Sequence, residues 1–376
     1  MIKQLKRIAI KVGSNVLTCH DGTLDVERMS DLVAQIAALR VRGIDVVLIS
    51  SGAVASGRNE IKPVKKLDAV SSRQLYSAVG QAKLINRYFE LFHEHGLVCG
   101  QVLTSTENFS SRTHYLNQKN CMETMLENGV IPIVNENDTV SVTELMFTDN
   151  DELSGLVATM MNMDALIILS HVDGIYDGHP ASPESSVVRE IPEKADVSGF
   201  IRSEKSAFGR GGMLTKYRIA RKVADEGIPV IIANGTKKNI LPELAAGGEV
   251  VCTRFLPAEK PASGIKKWIA HSEGFARGAV YIDRGAEEAL YGTKATSILF
   301  VGVTRLSGSF RKDDIVRIMN EEGRQLGVGR AGYDCAKALA LIGKRYARPM
   351  IHYDYLCLDG DTGNGKPADR TAEQIK

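Results

Sequence analysis

Apolar residues follow two alternating rhythms over the first two-thirds of this chain. Short runs are apolar at nearly every position: Ile8–Ala9–Ile10, Val46–Val47–Leu48–Ile49, Val130–Ile131–Pro132–Ile133–Val134, Ala165 to Leu169 and Pro229 to Ala233. Such runs read as strands buried on both faces. Between them the apolar spacing becomes helical. Met29, Leu32, Val33, Ile36 and Leu39 share one face, with Gly43 as the stop, and Leu84, Ile85, Tyr88, Phe89 and Phe92 mark another helix ending at Gly96. A strand near Val98–Leu103 and helices through Met122–Leu126, Glu152–Met161 and Gly212–Glu226 complete the alternation. The pattern predicts an α/β fold, an open, mostly parallel sheet sandwiched by helices. The stretch from Asp177 to Gly209, rich in Pro, Ser and Glu, reads as an excursion, hairpin-like, outside the repeating unit.

The rhythm changes after Pro257. Pro257 and Pro261 mark a linker, and short strand-like runs follow at Gly278–Ile282, Ser297–Val301, Ile315–Met319 and Gln325–Gly329. Close-spaced short strands predict a small β-rich domain. The expected organisation is a catalytic domain over 1–257, a linker region over 258–273, the β-rich domain over 274–358, and a polar tail over 359–376 without apolar periodicity, expected to be disordered.

Composition narrows the function classes. The 376 residues exceed what one core usually supports. With 44% hydrophobic and 24% charged residues, the chain has ordinary globular composition, and a formal net charge of +2 gives no argument for bulk attraction to nucleic acid or acidic membranes. Cys19, Cys99, Cys121, Cys252, Cys335 and Cys357 are dispersed with no C-x-x-C pair. They read as reduced thiols, most of them small core hydrophobes. No secretory signal precedes Ser14–Asn15 and no apolar stretch approaches membrane-spanning length, so a cytoplasmic protein is expected.

Polar residues at strand ends carry the candidate chemistry. The run Lys11–Val12–Gly13–Ser14–Asn15 ends the first strand with an ammonium and a glycine turn, where successive N–H groups make an anion-binding concavity. Ser50–Ser51–Gly52–Ala53 ends the second strand, Asn135–Glu136–Asn137–Asp138 follows a third, Phe147 to Asp151 precedes a helix, and Gly211–Gly212–Met213–Leu214–Thr215–Lys216 opens another. A helix N-terminus after glycines suits phosphate, although Lys216 alone also reads as a solvated helix lysine. Asp151 or Asp149 also reads as a helix N-cap before Glu152–Leu153, and both roles can coexist.

In this order, from Lys11 to about Phe255, these motifs resemble the amino acid kinase family, and within it the branch that phosphorylates the γ-carboxylate of glutamate in proline synthesis. The runs Gly278 to Ala286 and Gly302 to Phe310 resemble a PUA domain. The resemblance implies ATP and Mg2+, with catalytic Lys11, Asp151 and Lys216. Lys11 is placed at the attacking side and Lys216 at the ATP phosphates, with Asp151 as the carboxylate that organises both ammonium groups. Ser51, Gly52, Asn135, Asp138 and Asn150 are implied in substrate binding, Asn135 having turn-capping as its alternative. ATP is implied at Lys11, Gly13, Ser170, His171, Arg210, Gly211, Gly212, Met213, Leu214, Thr215 and Lys216. No direct metal ligand is expected, because Mg2+ bridges ATP phosphates and keeps several waters.

The chain departs from the family pattern at Ser170–His171, where Thr-Asp is usual, at Arg210 and at Leu214. The resemblance also implies a homo-oligomer, feedback inhibition by proline and a reductase partner that consumes γ-glutamyl phosphate. The rival readings are N-acetylglutamate or a nucleotide monophosphate as acceptor, or RNA binding through the PUA-like domain. From Glu273 to Arg345 there are 12 Lys/Arg and 9 Asp/Glu, a weak basic footprint.

Overall fold

A computed structural model describes residues 5–19, 21–110, 112–140, 150–180, 182, 184–193, 195–200, 212–259, 276–292, 296–345 and 347–358. The chain divides into two compact units, 1–264 and 265–376.

In the first unit the strands are β1 (Arg7–Val12), β2 (Asp45–Ser50), β3 (Val98–Thr104), β4 (Val130–Glu136), β5 (Ala165–Ser170), β6 (Glu190–Ile191), β7 (Val230–Asn234) and β8 (Thr253–Phe255). The helices are α1 (Ser14–Leu17), α2 (Val26–Val41), α3 (Ala53–Arg58), α4 (Ala69–Glu94), α5 (Glu107–Ser110), α6 (Arg112–Glu127), α7 (Asn150–Met160), α8 (Met213–Asp225) and α9 (Ile240–Ala245). All eight strands form one sheet in the order β3-β4-β2-β1-β5-β7-β8-β6. From β3 to β7 every pairing is parallel, and β8 joins β7 antiparallel. The sheet is thus open and mostly parallel, as the apolar rhythm implies.

The central strands are apolar throughout because helices cover both faces. Ile8, Ala9, Ile10, Leu48, Ile167 and Leu169 are fully buried, and the α2 residues Met29, Leu32, Val33, Ile36 and Leu39 pack into the same core. The Asp25 side chain caps α2 by accepting from the Arg28 N–H, and the Asp68 side chain caps α4 by accepting from the Ser71 N–H.

The order of strands fixes where a ligand can sit. β1 lies in the middle, with β2 on one side and β5 on the other. The order in which strands are added reverses around it while the strands stay parallel, which opens a crevice beyond their carboxyl ends. Helix α3 reaches that crevice through a close crossing with α4. A Cβ on Gly80 would overlap the Ala53 carbonyl oxygen, and one on Gly57 would overlap the Tyr76 carbonyl oxygen. Only glycine at both positions allows this approach.

Several expectations change. The excursion after Asp177 is hairpin-like in its first part. Tyr176 bridges Val187 antiparallel, and the chain then adds β6 beside β8. Its part from 201 to 211 lies outside the described residues. Three of the six cysteines are buried, Cys99, Cys252 and Cys357, so half rather than most are core residues.

The second unit has strands β9 (Gly278–Ile282), β10 (Val303–Gly308), β11 (Ile315–Met319), β12 (Gln325–Arg330) and β13 (Leu356–Leu358), with helices α10 (Arg284–Leu290) and α11 (Cys335–Leu339). Its sheet order is β10-β9-β11-β12-β13 around an apolar core that includes Val280, Ile318, Phe300 and Met350. The run Ser297–Val301 is not a strand. Ile298 makes a single bridge to Ile351, and a 3-10 turn follows over Phe300–Gly302. Leu299 and Val301 point outward, so that apolar run never acquires a second covered face. The linker from 260 and the tail from 359 lie outside the described residues.

Candidate active site

Lys11 is the fifth residue of β1 and Asp151 sits in the first turn of α7, beyond β4. Lys216 lies one turn into α8, whose N-cap is Gly212. Three distant segments therefore converge at the sheet's carboxyl ends. Lys11 Nζ is 2.5 Å from Asp151 Oδ1, and Lys216 Nζ donates to Asp151 Oδ2 at 2.8 Å. Exposure is 5% for Lys11, 1% for Asp151 and 8% for Lys216. Burial pushes the Asp151 carboxyl up, but the two ammonium groups outweigh it and hold the group below the usual carboxylate range. Asp151 is therefore ionised at neutral pH, and two ammoniums against one carboxylate leave a formal +1 in a low-dielectric setting.

Gly13 plays a different part from the one its glycine turn suggests. Its N–H donates to the Leu169 carbonyl at 3.2 Å, extending the β1–β5 ladder, so this N–H is not free for an anion. A Cβ there would come 3.7 Å from Lys11 Nζ and 3.3 Å from the Leu169 carbonyl, so the glycine keeps space beside the ammonium.

The second group lies beside the first. Asn150, next to Asp151, donates from Nδ2 toward Ser51 Oγ at 3.0 Å, Asn135 Oδ1 at 3.1 Å and the Ser50 carbonyl at 3.2 Å. Gly52 has φ +103°, a left-handed turn that brings the chain from β2 into α3 and that a side chain would strain. Asn135 in turn donates to Gln81 Oε1 at 2.7 Å, and Asp138 accepts from Arg73 Nε at 2.5 Å and from Ser77 Oγ at 3.2 Å. Arg73 Nη2 also donates to Glu136 Oε2 at 2.7 Å.

The nucleotide-side expectations are placed as follows. Ser170 is buried at the end of β5, and its carbonyl accepts from the Gly235 N–H at 2.8 Å. His171 is an exposed residue just beyond. Partial desolvation, then the neighbouring Lys216 charge, lower its pKa below the usual 6.5, so it is neutral at pH 7. Gly212, Met213, Leu214 and Thr215 form the half-exposed start of α8. Arg210 and Gly211 lie outside the described residues, as does Asp149.

The sequence reading missed Arg73, Ser77 and Gln81, spaced four apart on one face of α4. That spacing was the available signal. It also missed the cluster beyond β5 and β7, where Asp173 accepts from Asn234 Nδ2 at 2.9 Å and pairs with Lys237 at 2.8 Å.

A parallel sheet with two buried ammonium groups on one carboxylate, facing a glycine-led helix start, has the parts a phosphoryl-transfer enzyme uses. A model described as "Amino acid kinase family" matches residues 6–234, and one described as "PUA domain" matches 278–353. A glutamate 5-kinase of Bacteroides thetaiotaomicron is 63% identical over 96% of this chain and 100% of its own. One of Chlorobaculum tepidum is 47% identical over 94% and 97%, and one of Trichlorobacter lovleyi is 37% identical over 95% and 98%. The chain belongs to the amino acid kinase family and, within it, to the glutamate 5-kinases.

Proposed function

We infer that this chain transfers the terminal phosphoryl group of ATP to the γ-carboxylate of L-glutamate, giving γ-glutamyl phosphate for proline synthesis. The observation that carries the reading is the buried Lys11–Asp151–Lys216 chain, continued through Asn150 and Asn135 to the β4 end that bears Asp138. The near-full-length similarity to glutamate 5-kinases supports the same acceptor.

In this reading Lys216 and the start of α8 neutralise the ATP phosphates, and Lys11 draws in the attacking carboxylate oxygen. Asp151 holds both ammoniums in place. No general base is needed, because a glutamate carboxylate with pKa about 4.3 is already ionised at neutral pH. Catalysis is then positioning plus charge. Asn150, Ser51 and the Gly52 backbone take a substrate carboxylate, and Asp138 takes the α-ammonium. Mg2+ carried by the nucleotide would supply charge neutralisation at its phosphates, beside Lys216 and the start of α8. Among the described residues there is no group of three or more His, Cys, Asp or Glu that could hold a metal ion.

The product is an acyl phosphate and hydrolyses readily, so we also propose a reductase partner, together with proline feedback, homo-oligomeric assembly and a cytoplasmic setting. ATP consumption is measured with L-glutamate, N-acetyl-L-glutamate and UMP as acceptors. Turnover with glutamate is expected, and preference for either rival overturns the reading. In the same assay Asp138→Ala raises the KM for glutamate far more than that for ATP, since it removes the ammonium's counter-charge. Equal effects on both would place Asp138 outside the glutamate site.

A further inference from the structure

If Asp138 receives the substrate ammonium, the guanidinium beside it acquires a task of its own. Arg73 stands on α4 one turn before Ser77 and two before Gln81, on the face turned toward the end of β4. Its Nε donates to Asp138 Oδ1 at 2.5 Å, and its Nη2 donates to Glu136 Oε2 at 2.7 Å and contacts Asp138 as well. Glu136 and Asp138 are both buried, and they lie two residues apart. Anchored at Nε and Nη2 by two carboxylates, a planar guanidinium has a fixed direction. Its remaining nitrogen, Nη1, has no partner among the described residues, and the side chain keeps 18% of its surface exposed.

We propose that Arg73 contacts the substrate: Nη1 donates to the α-carboxylate of the amino acid whose α-ammonium rests on Asp138. The head group of an amino acid carries an anion and a cation on one carbon. The Asp138–Arg73 pair offers the opposite charges in direct contact, so each finds its complement at one step. Asn150 and Lys11 then receive the far carboxylate. A lysine at this position would supply charge without the fork that two anchors orient. The inference rests on the glutamate reading of the site and adds the recognition of its α-carboxylate.

The test compares wild type with Arg73→Met and Arg73→Lys on three ligands. These are L-glutamate, γ-aminobutyrate (which lacks the α-carboxylate) and glutarate (which lacks the ammonium). Each is followed as substrate or as competitive inhibitor against glutamate. With Arg73→Met, the KM for glutamate should rise about 10- to 100-fold, the loss of one charge-assisted hydrogen bond. The glutarate constant should rise in parallel, the γ-aminobutyrate constant should hold within about twofold, and so should the KM for ATP. Arg73→Lys should recover part of the loss, and it carries the comparison if Arg73→Met does not fold.

An unchanged glutamate KM overturns the proposal. So does a glutarate constant that stays put while glutamate binding falls, because Arg73 would then act only by positioning Asp138. A wild-type enzyme that consumes no ATP with glutamate refutes the functional reading itself, before any variant is made.

Discussion

Asp151→Asn removes one charge and little else. The side chain keeps its volume, and its position in the first turn of α7 is compatible with either residue. What changes is the pairing of two ammonium groups, now 2.5 Å and 2.8 Å from a carboxylate that is 1% exposed. Removing one partner from a buried ion pair costs about 3–5 kcal/mol, because the other charge is left without compensation. Here two cations lose the same partner. Each must then shed a proton or swing out of the site, and either response spoils the arrangement that catalysis needs.

A hundredfold loss in kcat corresponds to about 2.7 kcal/mol, so at least that loss is expected. Thermal stability should also fall, and ATP should restore more of it in the variant than in wild type, since phosphate replaces the missing anion. The acid side follows from linkage. With its pKa depressed in the fold, Asp151 contributes stability that is complete above the unfolded value of about 3.9 and is lost as pH falls through the lower folded value. The variant should lack this part of the acid transition. Steady-state turnover by coupled ATP consumption, with melting curves with and without ATP, decides the matter. A folded variant within a few-fold of wild-type kcat would refute the organising role.

Three further outcomes are expected. Lys216→Ala should lose several kcal/mol of transition-state stabilisation, read as kcat, while its melting temperature stays near wild type because Lys11 still pairs with Asp151; near-normal kcat would remove Lys216 from the site. Gly80→Ala should destabilise the fold by more than the roughly 1–3 kcal/mol of ordinary overpacking, since the new methyl would meet backbone of α3 rather than a movable side chain; a melting temperature equal to wild type would contradict the close crossing. A chain ending near Ala258 should fold and phosphorylate glutamate, because every candidate catalytic residue lies between Lys11 and Lys216 and β8 is flanked by β7 and β6; a soluble truncation that binds both substrates without turnover would show that the second unit completes the site.

The α/β architecture was legible because its strands are buried on both faces, which leaves almost no polar residue to confuse the pattern. Lys11, Asp151 and Lys216 stood out for a related reason: each interrupts or borders an apolar segment at the end of a strand or the start of a helix. The α4 contribution was hidden by the opposite circumstance. Arg73, Ser77 and Gln81 sit on a long amphipathic helix, where polar residues ordinarily face water, and only the tertiary approach of β4 turns that row inward. The engagement of the Gly13 N–H was equally invisible, since it depends on β5, which is far away in sequence. The apolar run at Ser297–Val301 misled because strand propensity says nothing about whether both faces will find cover.

The central place of β1 has a consequence for the timing of assembly during synthesis. The strand made first is the one that needs partners on both sides, and its second partner, β5, follows more than a hundred residues later. At ribosomal rates of about 5–20 residues per second, β1 waits on the order of ten seconds for that edge to close, and longer for α8 to deliver Lys216. Until then the strand that carries Lys11 keeps one edge exposed. The nascent chain is thus open to wrong pairing along that edge of β1 until β5 is made, a little under halfway through its 376 residues. Delaying elongation before β5 should therefore lower the yield of folded enzyme more than the same delay placed after α8.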